Sequence, residues 1–362
     1  ALIKGIKIVP TSKISELIDH LEERNLIDYQ KEIDFSPSDN FFGVDISEIK
    51  GQENAKRALT VSAAGGHHIL MSGQPGAGKT MMAQSLISIL PPPSLEEVIE
   101  ITKIYSASGF LKENSFLNFR PFRSPHHSAS SVAVIGGGTN PRPGEISLAH
   151  NGILFMDEIP EFKRDVLEAL RQPIEEGVIH VSRSKKAVSF PAEFLFVAAM
   201  NPCPCGYFGD SEKECRCTAN EVFRYQKKVS GPLLDRIDIQ IDVPRVKIEE
   251  LRKKGIDENY SSKIKNQVKR ARELQKERFL KAGVDIELNS EMSSKETDEF
   301  VSLDESAESF LKSVLDKSFI SARGYYRILK IARTIADLEE SKIVSSNHLA
   351  EAFQYRVKDG ER

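Results

Sequence analysis

Short, wholly apolar runs alternate along this chain with stretches whose apolar positions recur every three or four residues. Runs at 68–72, 152–156 and 194–200 predict buried strands, and a more polar one at 237–241 predicts another. Between them, 81–87 and 165–176 read as helices, the second with Val166, Leu167 and Leu170 inward. Residues 178–181 and 187–190 predict two strands flanking a basic tip at 182–186. Near the start, Ile14, Leu17, Ile18 and Leu21 share one helical face, and a further helix is expected after Gly51-Gln52. Beyond Lys247 the pattern is helical: an amphipathic charged stretch at 263–281, a helix running to Leu338, and a last one at 346–355 with Leu349, Ala352 and Phe353 on one face. Strands alternating with helices predict an α/β fold with a parallel sheet, here followed by a small helical lid.

Punctuation divides the pattern. Pro91-Pro92-Pro93 ends the helix after 81–87, since proline removes a donor and clashes with the preceding turn. Ser94 with Glu97 predicts a capping box. Residues 34–40 are turn-rich and read as a linker, and 289–304 as a polar, mobile connection. The Pro- and Gly-rich stretch 106–151 predicts loops, either a functional insert or an irregular surface excursion. The expected division is an N-terminal remnant and linker at 1–40, an α/β core at 41–246 and a helical lid at 247–362. The opening at Ala1 and the strand-like 6–10 suggest that an upstream part of the natural protein is missing.

The most specific chemistry sits between the first strand and its helix. Gly73-Gln74-Pro75-Gly76-Ala77-Gly78-Lys79-Thr80 matches the phosphate-cradling loop in full, with strand before and helix after. Glycines let the backbone wrap an anion, and the helix N-terminus aims N–H groups at it. Lys79 can then reach the β- and γ-phosphates of ATP, and the Thr80 hydroxyl can ligate Mg²⁺. The second apolar strand ends in Asp157-Glu158. In nucleotide hydrolases of this kind the first carboxylate holds Mg²⁺ and the second polarises the attacking water, so Asp157 and Glu158 are expected in those roles.

Composition narrows the partners. A net charge of −3 gives no global basic character, so any nucleic-acid site must be local. No apolar run reaches membrane-span length and no signal peptide is visible, which makes a cytoplasmic protein the simplest expectation. All four cysteines, Cys203, Cys205, Cys215 and Cys217, fall in one segment. Four thiolates suit structural Zn²⁺, although the spacing is C-x-C; two disulfides or free thiols are the alternatives. His126 and His127 are metal candidates by residue type alone, with packing the simpler role. Arg236 lies between Asp235 and Asp238 and is either an ordinary surface ion pair or an arginine finger supplied to a neighbouring subunit. Arg323 and Arg327 are either solvated helix charges or groups that reach back to the phosphates.

Further motifs join these: Gly51-Gln52, Phe122-Arg123-Ser124-Pro125-His126-His127, the run 142–150 that opens Arg142-Pro143-Gly144-Glu145, Asn201-Pro202-Cys203-Pro204-Cys205-Gly206, and 231–236 ending in Asp235-Arg236. Together they resemble the magnesium-chelatase-like AAA+ ATPases of the ComM/YifB type, over about 41–355. The resemblance implies that Asn201 is a first sensor positioning the lytic water, Arg236 the finger acting in trans and Arg323 a second sensor on the lid. It implies that the hairpin at 179–190 points into the pore of a ring, which makes Arg183, Lys185 and Lys186 candidate DNA contacts. It also implies an N-terminal Lon-protease-like domain, of which 1–35 would be a remnant. The expected activity is ATP hydrolysis in a hexameric DNA translocase acting in branch migration. A chelatase motor subunit driving metal insertion into a tetrapyrrole, or an ATP-gated assembly scaffold, are the alternatives.

Overall fold

The computed structural model describes residues 5–31, 43–111, 116–138, 141–183, 186–210, 212–246, 250, 259–315 and 320–356, without the side chains of 182, 183, 186 and 187. Its strands, in chain order, are β1 (Ile69–Gly73), β2 (Phe122–Arg123), β3 (Gly136–Gly137), β4 (Arg142–Pro143), β5 (Gly152–Met156), β6 (Val178–Arg183), β7 (Lys186–Pro191), β8 (Phe194–Met200) and β9 (Ile239–Val243). Five of them form one parallel sheet in the order β2-β5-β8-β1-β9. The central strands are apolar throughout because helices cover both faces of such a sheet. Their period of two divides each strand between two cores. Ile69, Met71, Phe155, Val197 and Ala199 face the helices Glu53–Gly65, Lys79–Ile89, Tyr260–Ala282 and Ala322–Leu338. Leu70, Leu154, Met156, Phe196 and Ala198 face a second layer holding Val134, Ile146, Val166 and Leu170.

The C-terminal helices share the first of these cores with the sheet: Ile328, Ile335 and Leu349 belong to the same apolar cluster as Ile69 and Val197. Polar contacts cross the same junction. Arg57 donates two hydrogen bonds to Glu351, at 2.8 and 3.1 Å. His67 Nδ1 stands 3.2 Å from Asp238, its Nε2 lies 2.8 Å from the Thr334 hydroxyl, and Asp238 pairs with Arg327 at 3.2 Å. Asn289 donates to Thr334 and Asp337 at 3.0 and 2.9 Å, and Asp337 accepts from Arg333 at 2.9 Å and from Arg278.

Several expectations change. The stretch 106–151 lacks long elements but is packed. Its helices Ser131–Ile135 and Glu145–Leu148 bury Val134 and Ile146 completely, and it contributes edge strand β2. Two arginines tie it down. Arg120 makes a bidentate pair with Glu97 at 2.8 and 2.9 Å and donates to the carbonyls of Pro91 and Asn151; Arg123 makes a bidentate pair with Glu145 at 2.6 Å. The stretch 289–304 is likewise packed, with Asn289 and Thr297 fully buried and a helix at Ser294–Phe300. One helix expected at 165–176 is two, Arg164–Ala169 and Arg171–Glu176, because Pro173 has no N–H to return to the preceding turn. The Ile14–Leu21 helix forms but buries none of its residues. The predicted linker at 34–40 lies outside the described residues. Among the described residues no helix is long and apolar enough to cross a membrane.

Candidate active site

Strands β1, β5 and β8 run side by side, with Phe155 opposite Val197 and Ser72 opposite Met200, so the segments that follow them leave the same edge of the sheet. That edge is where open α/β sheets bind ligands. After β1 the chain turns through Gly76 and Gly78 at φ of 77° and 88°, the left-handed region that glycine adopts without a Cβ clash. The Lys79–Ile89 helix starts directly, so its unpaired N–H groups face the loop. Lys79 folds back over it: Nζ donates to the carbonyls of Gly73 and Gln74 at 2.6 and 3.0 Å and to Asn201 Oδ1 at 3.1 Å. Burial pulls the Lys79 ammonium below the usual lysine range, while the charges of Asp157 and Glu158 act to hold it up.

The Thr80 hydroxyl donates to Asp157 Oδ2 at 2.8 Å, and the other oxygen of Asp157 accepts the Glu158 N–H at 2.9 Å. Glu158 itself has φ 51°, uncommon for a residue with a Cβ, and its carboxylate is half exposed. Phosphate-loop residues, Asp157, Glu158 and Asn201 are thus brought to one edge. Two hard oxygen donors, from Thr80 and Asp157, meet where a small divalent cation such as Mg²⁺ would sit against a phosphate.

Beside Glu158 stands His127, whose Nδ1 is 3.6 Å from Glu158 Oε2. Its ring stacks on His126 at 4.1 Å and meets the edge of Phe162 at 6.4 Å. The His126-His127 pair, a metal candidate by residue type with packing the simpler expectation, has a carboxylate neighbour that its sequence does not reveal. No sequence signal points to it, because the pairing of β2 with β5 that brings His127 beside Glu158 is long-range.

Arg236 and Arg323 do not join this cluster. Arg236 Nη2 pairs with Glu175 at 2.6 Å and its Nη1 donates to the Pro232 carbonyl at 2.6 Å, with the side chain only 12% exposed. Arg323 is largely exposed and lies 4.0 Å from the same Glu175 oxygen. Both arginines therefore meet at Glu175, a residue that no sequence motif singles out. Arg327 turns to Asp238 instead.

The four cysteine sulfurs lie within 4.8 Å of one another, and all four are free thiols, not disulfides. Cys203, Cys205 and Cys215 are spaced 3.4, 3.6 and 3.7 Å apart. Four thiolates at about 2.3 Å from a tetrahedral zinc would be about 3.8 Å apart, so the set fits that ion. The set does not shift as one. Backbone N–H groups of Arg216 and Tyr207 pull Cys205 down to about 6, and that of Phe208 donates to Cys203 Sγ at 3.3 Å, whereas at Cys215 and Cys217 a backbone donor is outweighed by desolvation and the neighbouring sulfurs, which push both up. Of the candidate DNA contacts, Arg183 and Lys186 pair across the antiparallel β6–β7 hairpin through their backbones. Their side chains, and Lys185 entirely, lie outside the described residues.

The family described as magnesium chelatase, subunit ChlI, matches residues 45–251, and the C-terminal family of the same subunit matches 258–356. The competence protein ComM of Haemophilus influenzae is 45% identical over 323 residues, 88% of this chain and 62% of that protein. The YifB protein of Escherichia coli is 44% identical over 315 residues, 87% of this chain and 61% of that protein. An archaeal Lon protease from Thermococcus kodakarensis is 35% identical over 54 residues, 15% of this chain and 8% of that protein. The chain thus spans less than two thirds of the length of the ComM and YifB proteins it matches.

Proposed function

This chain belongs to the magnesium-chelatase-like AAA+ family of the ComM/YifB type, and from that premise we propose that it is an ATP-hydrolysing ring motor that acts on DNA. The observation that carries the ATPase reading is the convergence of Lys79, Thr80, Asp157 and Asn201 at one edge of the sheet. Backbone N–H groups of the loop and the Lys79 ammonium bind the β- and γ-phosphates. Thr80 and Asp157 hold Mg²⁺, which neutralises charge on the phosphate oxygens when bound. Glu158 orients the attacking water, and Asn201, which accepts from Lys79, is the first sensor. Phosphoryl transfer needs little covalent assistance, so these positions and charges supply most of the catalysis.

Completion of the site comes from a neighbouring subunit. Arg236 serves as the finger supplied in trans and Arg323, on the lid, as the second sensor, each leaving Glu175 when a ring, a hexamer in this reading, assembles on nucleotide. The division is a core at 41–246 and a helical lid at 247–362, with Cys203, Cys205, Cys215 and Cys217 holding structural Zn²⁺. DNA is the proposed track, contacted by Arg183, Lys185 and Lys186 at the hairpin tip, and branch migration of incoming DNA is the proposed task; the name of the Haemophilus relative supports this part of the reading. A metal-insertion motor is the second reading, favoured by the description of the matched family.

ATP hydrolysis measured with branched DNA, and separately with a porphyrin-binding partner, tells the two apart: stimulation by DNA supports the first, and stimulation only by the partner supports the second. If the hairpin meets phosphates, a Lys185→Ala, Lys186→Ala double variant flattens the salt dependence of DNA binding by about two in log–log slope. An unchanged slope removes the hairpin from the DNA site.

A further inference from the structure

We propose that the four-cysteine site is a positioning element of the nucleotide site: the metal fixes the segment that braces the phosphate loop from outside. This rests on the reading of the cysteines as a zinc site. The contacts come from a single short stretch. Its first residue, Asn201, accepts from Lys79 Nζ at 3.1 Å. Its last, Gly206, is buried against Pro75, so closely that a Cβ there would lie 2.6 Å from two carbons of the proline ring. Cys203 and Cys205 stand between those two contacts. Holding both sulfurs therefore sets the separation and angle of the two groups that touch Lys79 and Pro75.

The alternation is what makes the coupling direct. Residues 203 and 205 turn inward to the sulfur cluster, and the ends of the same stretch turn to the loop. The Gly206 N–H closes a turn onto the Cys203 carbonyl at 3.0 Å, and Gln226 donates to the Pro202 carbonyl at 3.0 Å. These two hydrogen bonds hold the backbone in part. The segment of Cys215 and Cys217 meets that of Cys205 through N–H contacts to sulfur, from Arg216 to Cys205 and from Cys205 to Cys217, whereas a metal would bond all four sulfurs at once. Without the metal, four thiols crowded within 4.8 Å lose their common partner and the brace loosens. A loosened brace costs nucleotide affinity first, because Lys79 and the turn through Pro75 are binding groups.

The test uses the whole chain as purified, with three readouts: zinc per chain by elemental mass spectrometry, affinity for a fluorescent ATP analogue, and helical content by circular dichroism. Stripping the metal with a chelator, or Cys217→Ser, should remove zinc and weaken analogue binding about tenfold or more with helical content retained, and added zinc should restore the stripped wild type. Gly206→Ala is the second variant. It leaves every sulfur in place, so it should keep its zinc yet bind the analogue more weakly, through the clash with Pro75 and the left-handed backbone at φ 86°. Zinc-free but folded protein that binds the analogue as tightly as loaded protein would overturn the proposal, as would a zinc-loaded Gly206→Ala of unchanged affinity. A purified chain that neither contains nor takes up zinc overturns the zinc reading itself, and the first readout alone reports it.

Discussion

The Thr80 hydroxyl and Asp157 Oδ2 are 2.8 Å apart, which joins the first turn of the phosphate-loop helix to the end of a strand two places away in the sheet. Both oxygens suit a hard divalent cation. We expect Thr80→Val to weaken the magnesium-dependent binding of ATP by about tenfold, and Thr80→Ser to keep it, since the hydroxyl is the only chemical difference that matters there. Titration of a fluorescent ATP analogue with and without Mg²⁺ measures both. Equal loss in the two variants would mean that the hydroxyl is not the working group.

His127 Nδ1 stands 3.6 Å from the Glu158 carboxylate, which is half exposed, and is the side chain placed to orient it. His127→Ala should lower kcat by about tenfold with little change in KM for ATP, the signature of an interaction made on the way to the transition state. A rise in KM with kcat unchanged would assign His127 to substrate binding instead.

Arg236 pairs with Glu175 in the same chain at 2.6 Å, and Arg323 approaches the same carboxylate. On the proposed role of Arg236 as a finger supplied to a neighbouring subunit, Arg236→Ala should retain ATP binding and lose about a thousandfold or more in turnover. Mixing it with Lys79→Ala chains should restore part of the rate, because each supplies what its neighbour lacks. Mixtures no faster than the separate variants would place the arginine outside the reaction.

Burial acts to raise Asp238, but hydrogen bonding to His67 and the charges of His67 and Arg327 outweigh it and hold the carboxyl down at about 2. A folded-state value below the unfolded one contributes stability that is present above the unfolded value and lost as pH falls through the folded one. The window is therefore from about pH 4 down to about pH 2, and the contribution is about 2 kcal/mol. Urea unfolding of wild type and Asp238→Asn over that range should give curves that converge at the acid end.

Asp337 is buried with Arg333 and also accepts from Asn289 and Arg278. Asp337→Ala leaves the Arg333 guanidinium, 1% exposed, with fewer partners, and should cost about 3–5 kcal/mol in chemical denaturation. A loss under 1 kcal/mol would show that the Ser341 and Lys342 carbonyls, which also accept from Arg333, satisfy it unaided.

What was readable in the sequence was local. The phosphate loop is contiguous, and its flanking strand and helix carry their own patterns; the apolar strand before Asp157 does the same. Long-range pairing was not readable. Arg120 and Arg123 lie in a stretch that reads equally as a functional insert or an irregular surface excursion, yet their partners are Glu97 and Glu145, and they pack a stretch poor in helix and strand. Composition also misled at 289–304. Asn289 and Thr297 look solvent-facing, but both are fully buried and hydrogen-bonded, and a satisfied buried amide has the same letter as a hydrated one. Pro173 did mark a break inside 164–176, although the apolar spacing of Val166, Leu167 and Leu170 ran on past it. Glu175 could not have been selected, since its importance comes only from the two arginines that reach it.

The most direct test is the ATP hydrolysis rate per chain over a range of protein concentrations, with Glu158→Gln measured beside wild type and nucleotide binding recorded for both. Both proteins should bind nucleotide, the wild-type rate should rise with concentration as neighbouring subunits bring Arg236 to each site, and Glu158→Gln should show only background turnover. Equal rates for the two proteins, or bound ATP with no turnover by wild type at any concentration, would contradict the ring-motor reading.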